Sequence, residues 1–235
     1  MISAPMQSPF GPFFALTSLF PKGTFAYFLL KGNQGVSPES IEAFLAWRGH
    51  GTIKVHKVDQ VHSNKVVSAN EAPCEADAIV VTRPGEAARV VTADCVPLLI
   101  ASQDGRAAAV HAGWRGTLAK IASRAIAEIG SPPSRLAAYV GPSIGPCCYA
   151  VDAERHRSFR EVFGEAVKPR AGQEPYRLDL SALNAALLTE AGVAPEKIFR
   201  EERCTSCAVE LCCSYRRDGE RAGRMAAVIG LERRG

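Results

Sequence analysis

The stretch Thr92-Ala93-Asp94-Cys95-Val96-Pro97-Leu98-Leu99-Ile100-Ala101-Ser102-Gln103-Asp104-Gly105-Arg106-Ala107-Ala108-Ala109-Val110-His111 decides the fold. Two β-rich runs, Pro97 to Ser102 and Ala107 to His111, are joined by Asp104-Gly105, a dipeptide suited to the positive φ of a tight hairpin. A two-residue loop sets Gln103 against Arg106 and Leu98 against His111, with Cys95 just past the same sheet edge. Three extended residues span about 10 Å. The chain is therefore expected to curl between Cys95 and Leu98, with Pro97, which cannot donate to a ladder, as the break.

Further β-rich runs lie upstream at Thr52 to Val61, Lys65 to Ala69, Ala78 to Thr82 and Arg89 to Thr92, and downstream at Met225 to Leu231. Between them, Gly116 to Ile129 carries apolar residues at helical spacing and ends at Gly130, which suits a C-terminal cap. Asp152 to Phe163 and Ser181 to Ala191 are the other predicted helices, with Ser181 as N-cap and Gly192 as terminator of the second. Strand clusters with interspersed helices predict an α+β fold in which helices flank mixed β-sheets. Gly32 to Pro38 and Lys168 to Pro175 read as loops, so residues 1–235 are expected to form one compact domain, with 1–50 as an N-terminal arm.

The chain has 235 residues, 47% hydrophobic and 22% charged, with a formal net charge of +4. That charge gives no broad footprint for nucleic acid. Prolines 5, 9, 12 and 21 interrupt the apolar N-terminus ahead of Lys22, which fits neither a signal peptide nor a membrane span. The eight cysteines, two pairs of them adjacent, then read as reduced thiols of a cytoplasmic protein.

There are five histidines: His50, His56, His62, His111 and His156. A blue-copper site together with a multinuclear copper cluster needs more imidazoles than these, which excludes a laccase-type oxidase. His62 ends the run before Ser63-Asn64, where the chain is expected to turn. His62, Cys95 and His111 together form a borderline-soft donor set suited to zinc, with a fourth position left open as in catalytic sites. The same residues also fit a buried small thiol and solvated strand-end imidazoles.

His111 runs into Ala112-Gly113-Trp114-Arg115-Gly116 and then the predicted helix, so Arg115 and the helix start make a candidate anion site. A surface cation–π contact between Trp114 and Arg115 fits equally well. The loop Val140-Gly141-Pro142-Ser143-Ile144-Gly145-Pro146-Cys147-Cys148-Tyr149 alternates Gly and Pro too densely for regular structure and is expected to line the site. Arg216 and Arg224 offer guanidinium groups for a carboxylate or phosphate, or ordinary surface ion pairs. Cys204-Thr205-Ser206-Cys207 has the spacing of half a zinc knuckle. Cys212-Cys213 makes a poor second half, because neighbouring side chains of an extended chain point apart. One metal per chain is therefore expected.

Together these blocks resemble the YfiH/YlmD-type laccase-domain family, whose members are described as purine nucleoside phosphorylases with adenosine deaminase activity and were earlier named polyphenol oxidases. The likeness covers about Gln60 to Leu231 and rests on Gln60-Val61-His62-Ser63, Ala76-Asp77-Ala78, Ala93-Asp94-Cys95-Val96-Pro97, His111-Ala112-Gly113-Trp114-Arg115-Gly116, Gly141 to Tyr149, and the ending Ser214-Tyr215-Arg216-Arg217-Asp218-Gly219 with Gly223-Arg224. It implies zinc on His62, Cys95 and His111, with copper accepted in vitro. It also implies purine nucleoside and phosphate as substrates, with adenosine deaminase and methylthioadenosine phosphorylase activities alongside. Asp94 is the candidate for orienting a ligand and Arg115, Arg216 and Arg224 for holding phosphate. The chain departs from the family pattern in its N-terminal arm, at Ala150, and at Cys212-Cys213. Two other functions share the same atoms: a metal-free cysteine hydrolase or deamidase using Cys95 and His111, and a nucleotide-binding regulator without catalysis.

Overall fold

The structure is a computed structural model and describes residues 4–167 and 176–233. In chain order the strands are β1 (Phe13–Ala15), β2 (Thr24–Leu29), β3 (Lys54–His56), β4 (Val66–Ser68), β5 (Ala78–Val81), β6 (Glu86–Thr92), β7 (Val96–Ser102), β8 (Arg106–Ala112), β9 (Leu136–Val140), β10 (Ala150–Val151), β11 (Tyr176–Arg177), β12 (Ile198–Arg200) and β13 (Met225–Leu231). The helices are α1 (Pro38–Trp47), α2 (Trp114–Leu118), α3 (Ile121–Ile129), α4 (Ala153–Phe163), α5 (Leu180–Glu190) and α6 (Tyr215–Asp218).

Two mixed sheets stack face to face. One has the order β1-β2-β13-β6-β3 and the other β12-β9-β7-β8-β5-β4, while β10 and β11 form a separate ribbon. Alternation along each strand divides the side chains between layers. Leu99, Ala101, Ala107 and Ala109 pack with Phe14, Phe28, Val90 and Ile229 between the sheets. Leu98, Ile100, Ala108 and Val110 face Ile121, Ala125, Leu183 and Leu187 of the covering helices. On the far side of the five-stranded sheet, Phe25 and Tyr27 pack against Ile41 and Phe44 of α1. These layers are the α+β arrangement that the strand and helix pattern predicts, in one compact unit. Among the described residues no helix is long and apolar enough to cross a membrane.

Several local expectations are corrected. Ser102 pairs with Arg106 and Pro97 with His111, so the hairpin loop has three residues, not two. Gly105 takes φ +74° there, as a three-residue hairpin loop with a left-handed glycine requires. Pro97 lies within β7. The sharp backbone turn comes earlier, at Asp94 with φ 95°. The predicted helix 116–129 is divided into α2 and α3 at Lys120, whose φ is 56°. Asn184 of α5 donates to the buried hydroxyl of Thr117 at 2.9 Å and anchors α2 separately. The apolar spacing continues through that break and cannot reveal it.

The run Thr52 to Val61 is strand only over β3. Beyond it, the Gln60 side-chain amide pairs with both the N–H and the C=O of Val91, each at 2.8 Å, and stands in for a neighbouring strand. The cap of α5 is Asp179, whose carboxylate accepts from the N–H of Ala182 at 2.9 Å, in place of Ser181. The segment 1–50 holds β1, β2 and α1, and β2 pairs along six residues of β13. The loop expected at 168–175 lies outside the described residues.

Candidate metal centre

One edge of the six-stranded sheet gathers the chemistry. Because β7 and β8 are antiparallel, the start of β7 lies beside the end of β8. Antiparallel pairing of β8 with β5 brings the start of β5 to the same edge, and pairing of β7 with β9 brings the end of β9 there too. Cys95, His111, Asp77 and the loop after Val140 are therefore neighbours despite their separation in sequence.

Asp77 is fully buried just before β5. Its Oδ1 accepts from Nδ1 of His111 at 2.8 Å and from the backbone N–H of His62 at 3.0 Å. Its Oδ2 accepts from the N–H of Ser63 at 2.6 Å and from the Ser63 hydroxyl at 2.7 Å. Burial by itself raises the carboxyl pKa, but the hydrogen bonds from His111 and Ser63 outweigh it and hold Asp77 below its ordinary value. With Nδ1 engaged, His111 presents Nε2 to the cavity, the arrangement found at histidine-ligated metals.

His62 does not end a strand; it lies in the loop between β3 and β4 with φ 59°. That conformation costs a non-glycine residue about 1–2 kcal/mol, and the Asp77 bonds offset it. Nε2 of His62 stands 3.9 Å from Sγ of Cys95. The His62 and His111 rings meet edge to face at 4.8 Å, and one donor atom from each of His62, Cys95 and His111 lies within 4.8 Å of the others. A Cβ on Gly113 would come 2.9 Å from His62 and 3.2 Å from the Cys95 sulfur. Only glycine leaves room for this convergence.

Burial opposes ionisation of Cys95, yet hydrogen bonds with His111 and His62 pull the thiol down to about 7. Burial likewise opposes protonation of His111, while its bonds to Asp77 and Cys95 push it up to about 9. Two imidazoles, a ready thiolate and a buried carboxylate behind one ring suit a tetrahedral divalent ion with one open position.

The three donors line a cavity of about 490 Å³ together with Trp114, Tyr149, Arg155, Arg216 and Arg224. Arg216 packs over the Tyr149 ring at 5.3 Å and donates to the carbonyls of Cys148 and Ala150. Arg224 donates to the carbonyls of Ala222 and Gly223. Arg115 is not part of the wall. It is exposed and lies over Trp114 at 4.8 Å, the surface contact that the sequence also allowed. The guanidinium on the cavity is Arg155, 4.3 Å from the same ring, and its buried Nε has no partner among the described residues.

Asp94 contacts neither histidine. Its carboxylate accepts from the Thr205 hydroxyl and from the N–H of Arg216, both at 2.6 Å, and fastens the opposite wall. The carboxylate bonded to the His111 ring and to the His62 backbone is Asp77. A carboxylate directly ahead of the apolar run Ala78 to Val81 was its available signal. Arg155 left no such mark, since its role depends on how α4 meets α2.

A family model described as "Multi-copper polyphenol oxidoreductase laccase" matches residues 36–232. A purine nucleoside phosphorylase of Deinococcus radiodurans is 42% identical over 185 residues, covering 76% of this chain and 70% of that protein. The purine nucleoside phosphorylase YfiH of Shigella flexneri is 36% identical over 179 residues, covering 74% and 72%. Among solved structures, a Neisseria meningitidis protein superposes with a TM-score of 0.80 at 29% identity, covering 94% of this chain and 99% of its own. Bacillus licheniformis YfiH superposes with a TM-score of 0.79 at 27% identity, covering 89% and 93%. With its two-sheet fold and its His62, Cys95 and His111 cluster in place, the chain belongs to the multi-copper polyphenol oxidoreductase laccase family, in the group named YfiH and YlmD.

Proposed function

We propose that this protein is a zinc-dependent purine nucleoside phosphorylase. The observation that carries the reading is the convergence of three atoms able to ligate a metal at a cavity whose wall also holds Arg155, its buried Nε without a hydrogen-bond partner among the described residues. A cavity of about 490 Å³ falls within the range of small-ligand sites. Arg155, Arg216 and Arg224 offer charge for phosphate, and the Trp114 and Tyr149 rings support the first two. The named relatives act as support, being called purine nucleoside phosphorylases.

In the reaction, a phosphate oxygen bonds to the ribose C1′ as the glycosidic C–N bond breaks. Its electron pair goes to the purine, which takes up a proton. Arg155 and Arg216 hold and orient the phosphate, each placed by the aromatic ring it lies over, Trp114 and Tyr149. Asp77 fixes His111, and through the His62 backbone it fixes the second imidazole. Zinc held by His62, Cys95 and His111 would supply Lewis acidity, with phosphate as nucleophile for methylthioadenosine as for other nucleosides and water as nucleophile in the adenosine deaminase activity.

A metal-free cysteine hydrolase is the second reading, favoured by the hydrogen bond between Cys95 and His111, which pulls the thiol down and pushes the imidazole up. Incubation with inosine, adenosine or methylthioadenosine, with and without phosphate, separates the two. Phosphate-dependent release of base that a chelator abolishes and added zinc restores supports the phosphorylase. Turnover that survives chelation and stops on thiol alkylation overturns it.

A further inference from the structure

Cys147, Cys148, Cys204 and Cys207 take no part in the chemistry above, yet their four sulfur atoms lie within 4.8 Å of one another. The geometry points to a second, structural metal site: a zinc ion held by these four thiolates.

Sheet topology creates the cluster. β12 runs parallel to β9, with Arg200 beside Val140. The two strands therefore release their following loops from the same edge, side by side. The pairing continues past the strand ends, where Glu201 donates to Val140 at 2.8 Å and Thr205 to Ser143 at 3.0 Å. Each loop then turns back on itself. Cys148 and Tyr149 donate to the carbonyl of Gly145, and Cys207 and Ala208 to the carbonyl of Cys204. Adjacent cysteines point apart only in extended chain; in the turn at 146–148 both sulfurs face Cys207, at 3.7 and 3.4 Å. The half-knuckle Cys204-x2-Cys207 thus finds its other half in Cys147-Cys148, while Cys212 and Cys213 are buried elsewhere in the sheet interface.

The spacing suits one ion. Tetrahedral zinc at 2.3 Å from each sulfur puts sulfurs about 3.8 Å apart. A disulfide needs about 2.05 Å, and all eight cysteines are free. Gly145 is shaped for the site: its N–H donates to the Cys204 sulfur at 3.2 Å, and a Cβ there would meet Cys204 at 3.2 Å and the Cys147 sulfur at 3.4 Å.

Four thiolates on a divalent ion carry a net charge of −2, and three arginines surround them. Arg177 donates to the carbonyls of Pro146 and Cys147, Arg216 to that of Cys148, and Arg217 to those of Thr205 and Ser206. With four protein ligands no position is left open, so the ion is structural. It clamps the loop bearing Tyr149 to the segment ahead of Arg216, both of which line the catalytic cavity.

The test is metal content of the full chain purified under reducing conditions. Wild type is expected to hold two zinc ions, Cys95→Ser one, Cys207→Ser one, and the double variant none. Cobalt loaded into Cys95→Ser protein is expected to show the intense absorption of tetrahedral thiolate cobalt and to lose it with Cys207→Ser. Should Cys207→Ser fail to fold, titration of Cys95→Ser protein with a thiol-binding mercurial replaces it, with one zinc released per four sulfurs blocked. Cys95→Ser protein without any ion overturns the site, as does an ion that neither Cys207→Ser nor the mercurial at that stoichiometry removes. So does a disulfide from Cys207 to Cys147 or Cys148 in place of metal. If the proposed phosphorylase centre is the one without zinc, wild type holds a single ion that survives Cys95→Ser, which tells the two failures apart.

Discussion

A single oxygen of Asp77 accepts from the His111 ring at 2.8 Å and from the His62 backbone at 3.0 Å, so one buried carboxylate sets two of the three donors at the centre. Replacing it with Asn keeps the shape but removes the charge and turns one acceptor into a donor facing other donors. Asp77→Asn is expected to weaken zinc affinity by about 10- to 100-fold, the usual loss when a group behind a ligand is changed. Competition with a chromophoric chelator measures this. Undiminished affinity would show that Asp77 serves only the fold.

Gly113 caps α2 with φ −70° and ψ 177°, a conformation any residue adopts, so its requirement is one of space. In Gly113→Ala the new methyl would press on His62 and on the Cys95 sulfur. The expected result is a folded protein, judged by circular dichroism and melting, that holds much less than one zinc at this centre. Normal occupancy in the variant would contradict the geometry.

In metal-stripped protein the hydrogen bonds with His111 and His62 pull the Cys95 thiol below the ordinary thiol range, to about 7. The thiolate is the reactive form. Alkylation of Cys95 should therefore be rapid above pH 7 and fall away as pH drops through that value, about two units below an ordinary thiol. Zinc should protect the residue. Mass-resolved labelling against pH reads both effects, and a midpoint near 9 would refute the Cys95 and His111 pairing.

Arg155 and Arg115 share the Trp114 ring, at 4.3 and 4.8 Å, but only Arg155 reaches the cavity. A hydrogen bond to a charged group contributes about 1.5–3 kcal/mol. Arg155→Ala is accordingly expected to raise KM for phosphate at least about tenfold, with Arg115→Ala close to wild type. Steady-state kinetics at varied phosphate decide it; equal effects from both variants would return the anion site to Arg115.

Away from the centre, Gly230 lies in β13, paired with both Phe25 and Ala87. A Cβ there would overlap the Phe25 ring and stand 2.7 Å from Ala87. Overpacking of this kind costs about 1–3 kcal/mol. Gly230→Ala should lower the unfolding free energy by that amount, read from the urea midpoint and slope, while leaving zinc content at wild-type level.

Features that depend on local order were legible in the amino-acid chain. The β-rich runs on either side of Asp104-Gly105 made β7 and β8 a hairpin. The resemblance and the donor chemistry both selected His62, Cys95 and His111, which the fold brings together. Local signals erred by single steps, as with the three-residue loop at Gly105 and the break at Lys120, because apolar spacing records burial and is blind to one extra residue in a turn.

Which loops share an edge follows from strand order in the folded sheets. Asp77 stands out in the chain only as a carboxylate ahead of an apolar run, and it is the antiparallel pairing of β5 with β8 that makes it the partner of His111, 34 residues away. Nothing near Arg155 distinguishes it from Arg115. The pairs Cys147-Cys148 and Cys204-x2-Cys207 are joined by the parallel alignment of β9 with β12. Strand order is settled by the long-range competition to bury both faces of each sheet, and side chains at strand ends meet as its consequence.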